Sequence, residues 1–372
     1  MRTLSRSAAI TLAAATMVSL TACSPPETEP ASASGSAATA TSAADLGGMD
    51  ALIAEAKKEG RLNVIALPPN WANYGEIIKT FGDKYGIKVT SAQPDGSSQD
   101  EINAANQLKG QDTAPDVFDL GGAVAAANVA MFAPYKTATF DQIPADLKDA
   151  NGAWVNDYGG YMSIGYDSAK VPAPTSVDDL LKPEFKGKVA LNGDPTQAGA
   201  AFGGVQMVAV AKGGSPENVQ PGVDFFGQLK KAGNFLPVDP TPATIASGQT
   251  PVVLDWDYLN TAEATKVSTW KTFVPSNAVL GSYYVQAINK DAPHPAAARL
   301  WQEFLYSDEG QNLWLKGGAR PVRADAMQKA GTIDTTAFAA LPKADGTPVI
   351  PAEAQNAKAK EYLAANWAKA IG

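Results

Sequence analysis

From residue 49 onward, apolar positions recur at three- and four-residue spacing in some windows and bunch into short runs in others. Asp50 to Glu59 puts Leu52, Ile53 and Ala56 on one face and predicts a helix stopped by Gly60. Leu62 to Ala66 predicts a strand, and Pro68-Pro69-Asn70-Trp71 a loop. Tyr74 to Tyr85, with Ile77, Ile78 and Phe81, predicts a second helix ended by Gly86, and Ile87-Lys88-Val89 opens a strand. Ser98 to Lys109 predicts a helix, and Asp116 to Leu120 a strand that runs through Gly121-Gly122 into an Ala-rich helix. The rhythm returns with a strand at Lys188 to Leu191, a helix at Gly199 to Lys212 and a strand at Val252 to Leu254. Strands separated by helices imply βαβ units and a mostly parallel sheet. Two stretches, Gly159 to Tyr166 and Ser282 to Asn289, fit crossovers between two such series. No short-period repeat is visible.

With 372 residues the chain is too long for one compact core, so two lobes are expected. The first residues stand apart. Arg2 and Arg6 precede an apolar run from Ala8 to Leu20, too short to span a bilayer, which reads as a targeting segment over 1–22. Leu20-Thr21-Ala22-Cys23 resembles a bacterial lipobox, with cleavage before Cys23 and lipidation of its thiol. Cys23 is the only cysteine, so no intrachain disulfide can form. Residues 24–45 are rich in Ser, Ala, Thr and Pro, and 23–48 is expected to be a flexible tether between a membrane anchor and the body. The body has no apolar stretch long enough to cross a membrane.

Charge narrows the function. The net charge is −8 and no basic stripe appears, which argues against nucleic acid. In open α/β sheets ligands sit beyond the carboxyl ends of the strands. That rule nominates the loops 67–74, 92–98, 119–122, 192–199 and 255–258. They carry Trp71, Tyr74, Ser97, Asp119, Asp194, Asp255, Trp256, Asp257 and Tyr258. The apolar run Pro251 to Leu254 ends in Asp255-Trp256-Asp257, and buried carboxylates need a partner. If the strand continues, Asp255 and Asp257 share one face and Trp256 takes the other. Asp119 and Asp194 are equally suited to capping helices that start just after them.

Several motifs in order now resemble a known family. They are the lipobox and tether, Asn70-Trp71-Ala72-Asn73-Tyr74 leading to Tyr85-Gly86-Ile87-Lys88-Val89, Ala114-Pro115-Asp116-Val117-Phe118, and Ala292 to Ala298 continuing to Phe304 through Gln311. Together they resemble the bacterial extracellular solute-binding proteins of ABC importers, the two-lobed kind that includes polyamine- and ferric-ion-binding members. The resemblance implies two Rossmann-like α/β lobes joined by crossover hinge strands, the type II periplasmic-binding-protein fold. Lobe one is expected from 49–160 plus 286–372, and lobe two from 161–285. It also implies a monomer that closes on a small solute, docks on a membrane permease with its ATPase, needs no cofactor and catalyses nothing.

An amine-bearing, polyamine-like solute is the leading expectation. Trp71 and Tyr74 look like the aromatic mouth of spermidine/putrescine binders, and Trp256 and Asp194 fall near their lobe-two residues. Ring faces attract ammonium groups by about 2 kcal/mol once water is excluded, and a carboxylate adds a charge-assisted hydrogen bond. The return crossover departs from that pattern, reading Ser282-Tyr283-Tyr284 where polyamine binders carry a Trp and an Asp. An anionic solute, a phosphonate or phosphorylated compound, is the alternative, held by the N–H groups opening the helix at Gly199 with Arg320 and Arg323 as counter-charges. Tyr283-Tyr284 suggests a ferric site, though neighbouring strand residues face opposite ways. An enzyme is disfavoured: His294 is the only histidine, and no nucleophile elbow or phosphate-binding loop occurs.

Overall fold

The computed structural model describes residues 35–372 apart from Asp95. The targeting segment, Cys23 and the first part of the tether lie outside the described residues. The order of elements begins with helix α1 (Gly35–Thr39), α2 (Met49–Glu59), strand β1 (Arg61–Ile65), α3 (Tyr74–Tyr85), β2 (Lys88–Ala92), α4 (Ser98–Gln107), β3 (Val117–Leu120), α5 (Gly122–Ala127) and β4 (Phe132–Ala133). The long strand β5 (Val155–Asp167) leads to β6 (Val189–Leu191), α6 (Gly199–Ala211), α7 (Gln220–Ala232), α8 (Pro242–Ser247), β7 (Val252–Trp256), α9 (Asp257–Glu263) and β8 (Trp270–Phe273). Strand β9 (Gly281–Asn289) returns to α10 (Pro295–Leu305), α11 (Asp308–Lys316), β10 (Arg320–Pro321), α12 (Ala324–Ala330), α13 (Thr335–Ala340) and α14 (Glu353–Ile371).

Helix ends follow local chemistry. Gly60 and Gly86 close α2 and α3 in the left-handed conformation that glycine adopts without penalty. Within each series the expected parallel pairs form, β1 with β2 and β6 with β7. The whole is nonetheless a mixed α/β fold rather than a mostly parallel one. The two crossover strands pair antiparallel with each other, β5 also with β7, and β9 with β3. One continuous sheet, ordered β3-β9-β5-β7-β6, therefore runs from the first series into the second. Two glycines permit the crossing. A Cβ on Gly159 would meet the Ser282 carbonyl, and one on Gly160 would meet the Asp257 carboxylate and the Tyr258 ring.

Two segments sit differently from expectation. Residues 35–46, read as tether, form α1 and a short 3-10 turn seated on α10. Ala37 and Ala40 are buried there, and the buried Arg299 guanidinium donates to the carbonyls of Ala40 (2.8 Å) and Ala38 (3.0 Å). Even an alanine-rich segment docks when a buried cation needs acceptors. The last helix, read with lobe one, packs on α7, where the Trp367 ring meets Phe226 (5.4 Å) and Phe235 (6.3 Å).

Candidate functional site

All five loops nominated by the strand ends border one cavity of about 790 Å³, within the range of small-molecule clefts. Trp71, Ser97, Asp119, Trp256 and Tyr284 line it. Two of the bordering loops carry backbone strain. Among the described residues, the non-glycine positions with positive φ are Ala66, Ala72, Asn73 and Gln93, and all lie in the loops after β1 and β2. Left-handed backbone costs roughly 1–2 kcal/mol per residue without glycine, and such strain gathers where geometry serves a site. The Asn73 amide anchors its loop by donating to the Leu313 carbonyl at 2.9 Å.

Asp119, at the end of β3, is the pivot of the cavity wall. It is 7% exposed, its Oδ2 accepts from the Tyr158 hydroxyl (3.2 Å), and its Oδ1 has no partner. Tyr158 in turn accepts from the Trp71 indole N–H at 2.7 Å. Burial pushes the Asp119 carboxyl up to about 7, against the pull of the polar groups of Tyr74, Tyr158 and Gln286 around it, of which the Tyr158 hydroxyl is the one in hydrogen-bond contact. Behind it stand two more buried carboxyls. Glu101 on α4 is pushed well up by burial and by the Asp119 charge, and so is Asp157 on β5. Glu101 accepts the Asp119 backbone N–H at 2.9 Å. No lysine or arginine is paired with any of the three among the described residues.

Rings frame this carboxyl. Trp71 stands edge-on to Tyr258 and Tyr284, each at 5.9 Å, and Tyr284 stacks on Tyr158 at 5.4 Å with planes 7° apart. Burial pushes the Tyr284 phenol up, and Tyr283 up to about 12. Trp256 closes the opposite wall, with Gly203 of α6 so near that a Cβ there would lie 3.3 Å from the indole. Ser97 sits at the rim as the N-cap of α4, its hydroxyl accepting from the Asp100 N–H.

The other nominated residues lie elsewhere. Tyr74 is fully buried behind the wall, accepting from the Gln286 amide at 3.0 Å. Asp255 ends inside the protein, accepting from its neighbour Trp256 N–H and from Asn192, both at 2.8 Å, and burial pushes it up to about 7. The strand stops at Trp256, so Asp257 opens α9 instead of continuing the alternation. Asp257 accepts from Arg320 (3.1 Å) and from the Tyr161 N–H (3.0 Å); burial raises it to about 6 even so. Asp194 is exposed, caps its own turn through Thr196, and borders a separate small cavity of about 160 Å³ with Phe235 and Trp367. Neither arginine reaches the main cavity: Arg320 holds Asp257, and the buried Arg323 holds Gln142 and Asp308. His294 lies between Asp116 (3.0 Å) and Asp112 (3.2 Å), away from the cleft lining.

Sequence reasoning missed part of the wall. Glu101, Phe202 and Gln206 border the cavity, and so do Glu353, Asn356 and Lys360 from α14. The last three are spaced i, i+3, i+7 and share one helix face, while Ala359, Leu363 and Trp367 are buried on another. That spacing was the available signal.

Comparison with known proteins places this geometry. The profile of the family described as bacterial extracellular solute-binding protein matches residues 120–367. An Fe(3+)-binding periplasmic protein of Serratia marcescens is 30% identical over 131 residues, which span 32% of this chain and 37% of that relative. Among solved structures, a putative extracellular solute-binding protein from Bordetella parapertussis superposes with TM-score 0.64 at 16% identity, covering 85% of this chain and 100% of that one. Iron-bound HitA from Pseudomonas aeruginosa gives 0.63 at 20%, covering 84% and 99%. A putative spermidine/putrescine ABC transporter protein from Listeria monocytogenes gives 0.60 at 12%, covering 84% and 98%. These likenesses are likenesses of fold, the type II periplasmic-binding-protein architecture. Matched over more than half its length, the chain belongs to the bacterial extracellular solute-binding protein family, the extracytoplasmic solute-binding components of ABC transporters, which serve a small-molecule solute and a membrane permease.

Proposed function

We propose that the chain captures a small amine-bearing solute in the cleft and hands it to its permease. The observation that carries this reading is Asp119: a buried carboxylate with one unpartnered oxygen, no paired cation and three aromatic residues around it. An ammonium group supplies what that wall lacks. It would pair with the Asp119 carboxylate and face the rings of Trp71 and Tyr284, contacts worth about 2 kcal/mol each when water is excluded. The support thus moves from Asp194, Asp255 and Asp257 to Asp119.

Lobe two, carrying Trp256, would swing about the β5–β9 crossover to close on the solute. A monomer tethered by a lipid on Cys23 completes the reading. Isothermal titration with 1,4-diaminobutane, a phosphonate and ferric citrate tests the solute class. Heat with the phosphonate or the ferric salt alone would reverse the ranking. Metabolic labelling with a fatty-acid analogue, lost in Cys23→Ser, tests the anchor.

A further inference from the structure

The charges around the cavity are separated in space. Glu101 and Asp119 belong to the wall built by α4 and β3. Glu353 joins that side, with Oε2 3.9 Å from where a Cβ on Gly122 would stand. The one lysine bordering the cavity, Lys360, stands beside α6, its Nζ 5.5 Å from the Phe202 ring centroid. Lys360 makes no ion pair among the described residues. The first turn of α6, which carries Gly199 and Phe202, borders the same end and has no side-chain cap. Helix N-termini favour negative charge.

The segment that supplies Glu353 and Lys360 is held there. Val349 bridges Leu280 at the start of β9, the Gln206 amide donates to Asn356 at 2.9 Å, and Gln355 donates to Glu217 at 2.6 Å. These bonds fix the polar face of α14 as a wall of the cleft, next to both α5 and α6.

We propose that the solute is an aminocarboxylate: its ammonium group lies at Asp119 and its carboxylate at the far end, against Lys360 and the first turn of α6. This rests on the amine reading of the same cleft and adds the chemistry of the second end. It makes α14 the element that separates an amine with an anionic tail from an amine without one. The Asp119 carboxylate, with no cation paired to it, sets the first end, and Lys360, with no carboxylate paired to it among the described residues, sets the second.

Calorimetry on the full mature protein, with n-butylamine, 1,4-diaminobutane, 4-aminobutyrate and butyrate as probes, tests the assignment. The four share a four-carbon chain and differ only at their ends. The expected result is 4-aminobutyrate bound at least about tenfold tighter than n-butylamine or butyrate, the worth of one charge-assisted hydrogen bond. Lys360→Met should narrow that gap about tenfold without moving the melting temperature, because Lys360 is exposed. If 1,4-diaminobutane binds as tightly as 4-aminobutyrate, or if Lys360→Met leaves the gap unchanged, the second end is wrong while the amine reading stands. If only butyrate binds, or no probe does, the amine reading itself fails and this inference with it.

Discussion

Replacing Asp119 with asparagine should stabilise the empty protein while removing its grip on amines. Burial raises the Asp119 carboxyl from 3.8 to about 7. At 1.36 kcal/mol per pH unit, that is a cost on the order of 4 kcal/mol when the folded protein is forced to ionise it. The sign follows from which state holds the proton longer. The folded carboxyl keeps its proton to higher pH than the unfolded one. The cost is therefore absent below about pH 4, grows as pH rises to about 7, and is constant above. Asparagine has nothing to ionise. Its amide can lie against Gln286, whose carbonyl oxygen has no partner. Glu101 and Asp157 gain as well, since the Asp119 charge helps hold both up. Urea unfolding of both proteins at pH 5 and pH 8 is the assay. The variant should be the more stable at pH 8, with the difference shrinking toward pH 5. In parallel, amine affinity should fall by about 1.5–3 kcal/mol. Wild-type amine affinity should also fall as pH drops below about 7 and the carboxyl takes its proton. A variant no more stable than wild type at pH 8, or one that binds amines unchanged, refutes the reasoning.

Other perturbations follow from packing. Trp256 is buried beside Gly203, so Trp256→Ala should cost about 3–5 kcal/mol of stability as well as weaken binding, whereas Trp256→Phe should keep the fold; differential scanning fluorimetry separates the two. Gly160→Ala drives a methyl into Asp257 and the Tyr258 ring at 2.6 Å, and should destabilise by about 1–3 kcal/mol or more in denaturant unfolding. Arg299→Met removes the donors that hold Ala38 and Ala40, and should make residues 35–46 the first segment to lose amide hydrogen-exchange protection.

How much of this was readable beforehand differs from element to element. Helix α3 was expected at its observed bounds because Ile77, Ile78 and Phe81 keep strict spacing and Gly86 supplies a left-handed stop. The rule of strand carboxyl ends found all five cleft loops, because it depends only on βα order, which periodicity reveals. Side-chain fates were harder. Asp255 and Asp257 look alike in sequence, yet one lies in β7 and the other begins α9, and their partners Asn192 and Arg320 are 63 residues away along the chain in each case. Long-range pairing leaves no local pattern. The face of α14 was legible as a 3-7 spacing of polar residues, but only the fold shows that the helix returns to the cleft.

The seat of α1 on α10 has a mechanical corollary. Three backbone carbonyls, those of Ala38, Ala40 and Pro295, converge on one internal guanidinium. A pull on the leading end of the polypeptide is thereby delivered to α10, on the return side of the crossover, and bypasses β6, β7 and α6. If the chain is anchored at Cys23 as proposed, the side that is leashed is the one bearing Asp119, and the side bearing Trp256 stays clear of the leash for the proposed closure.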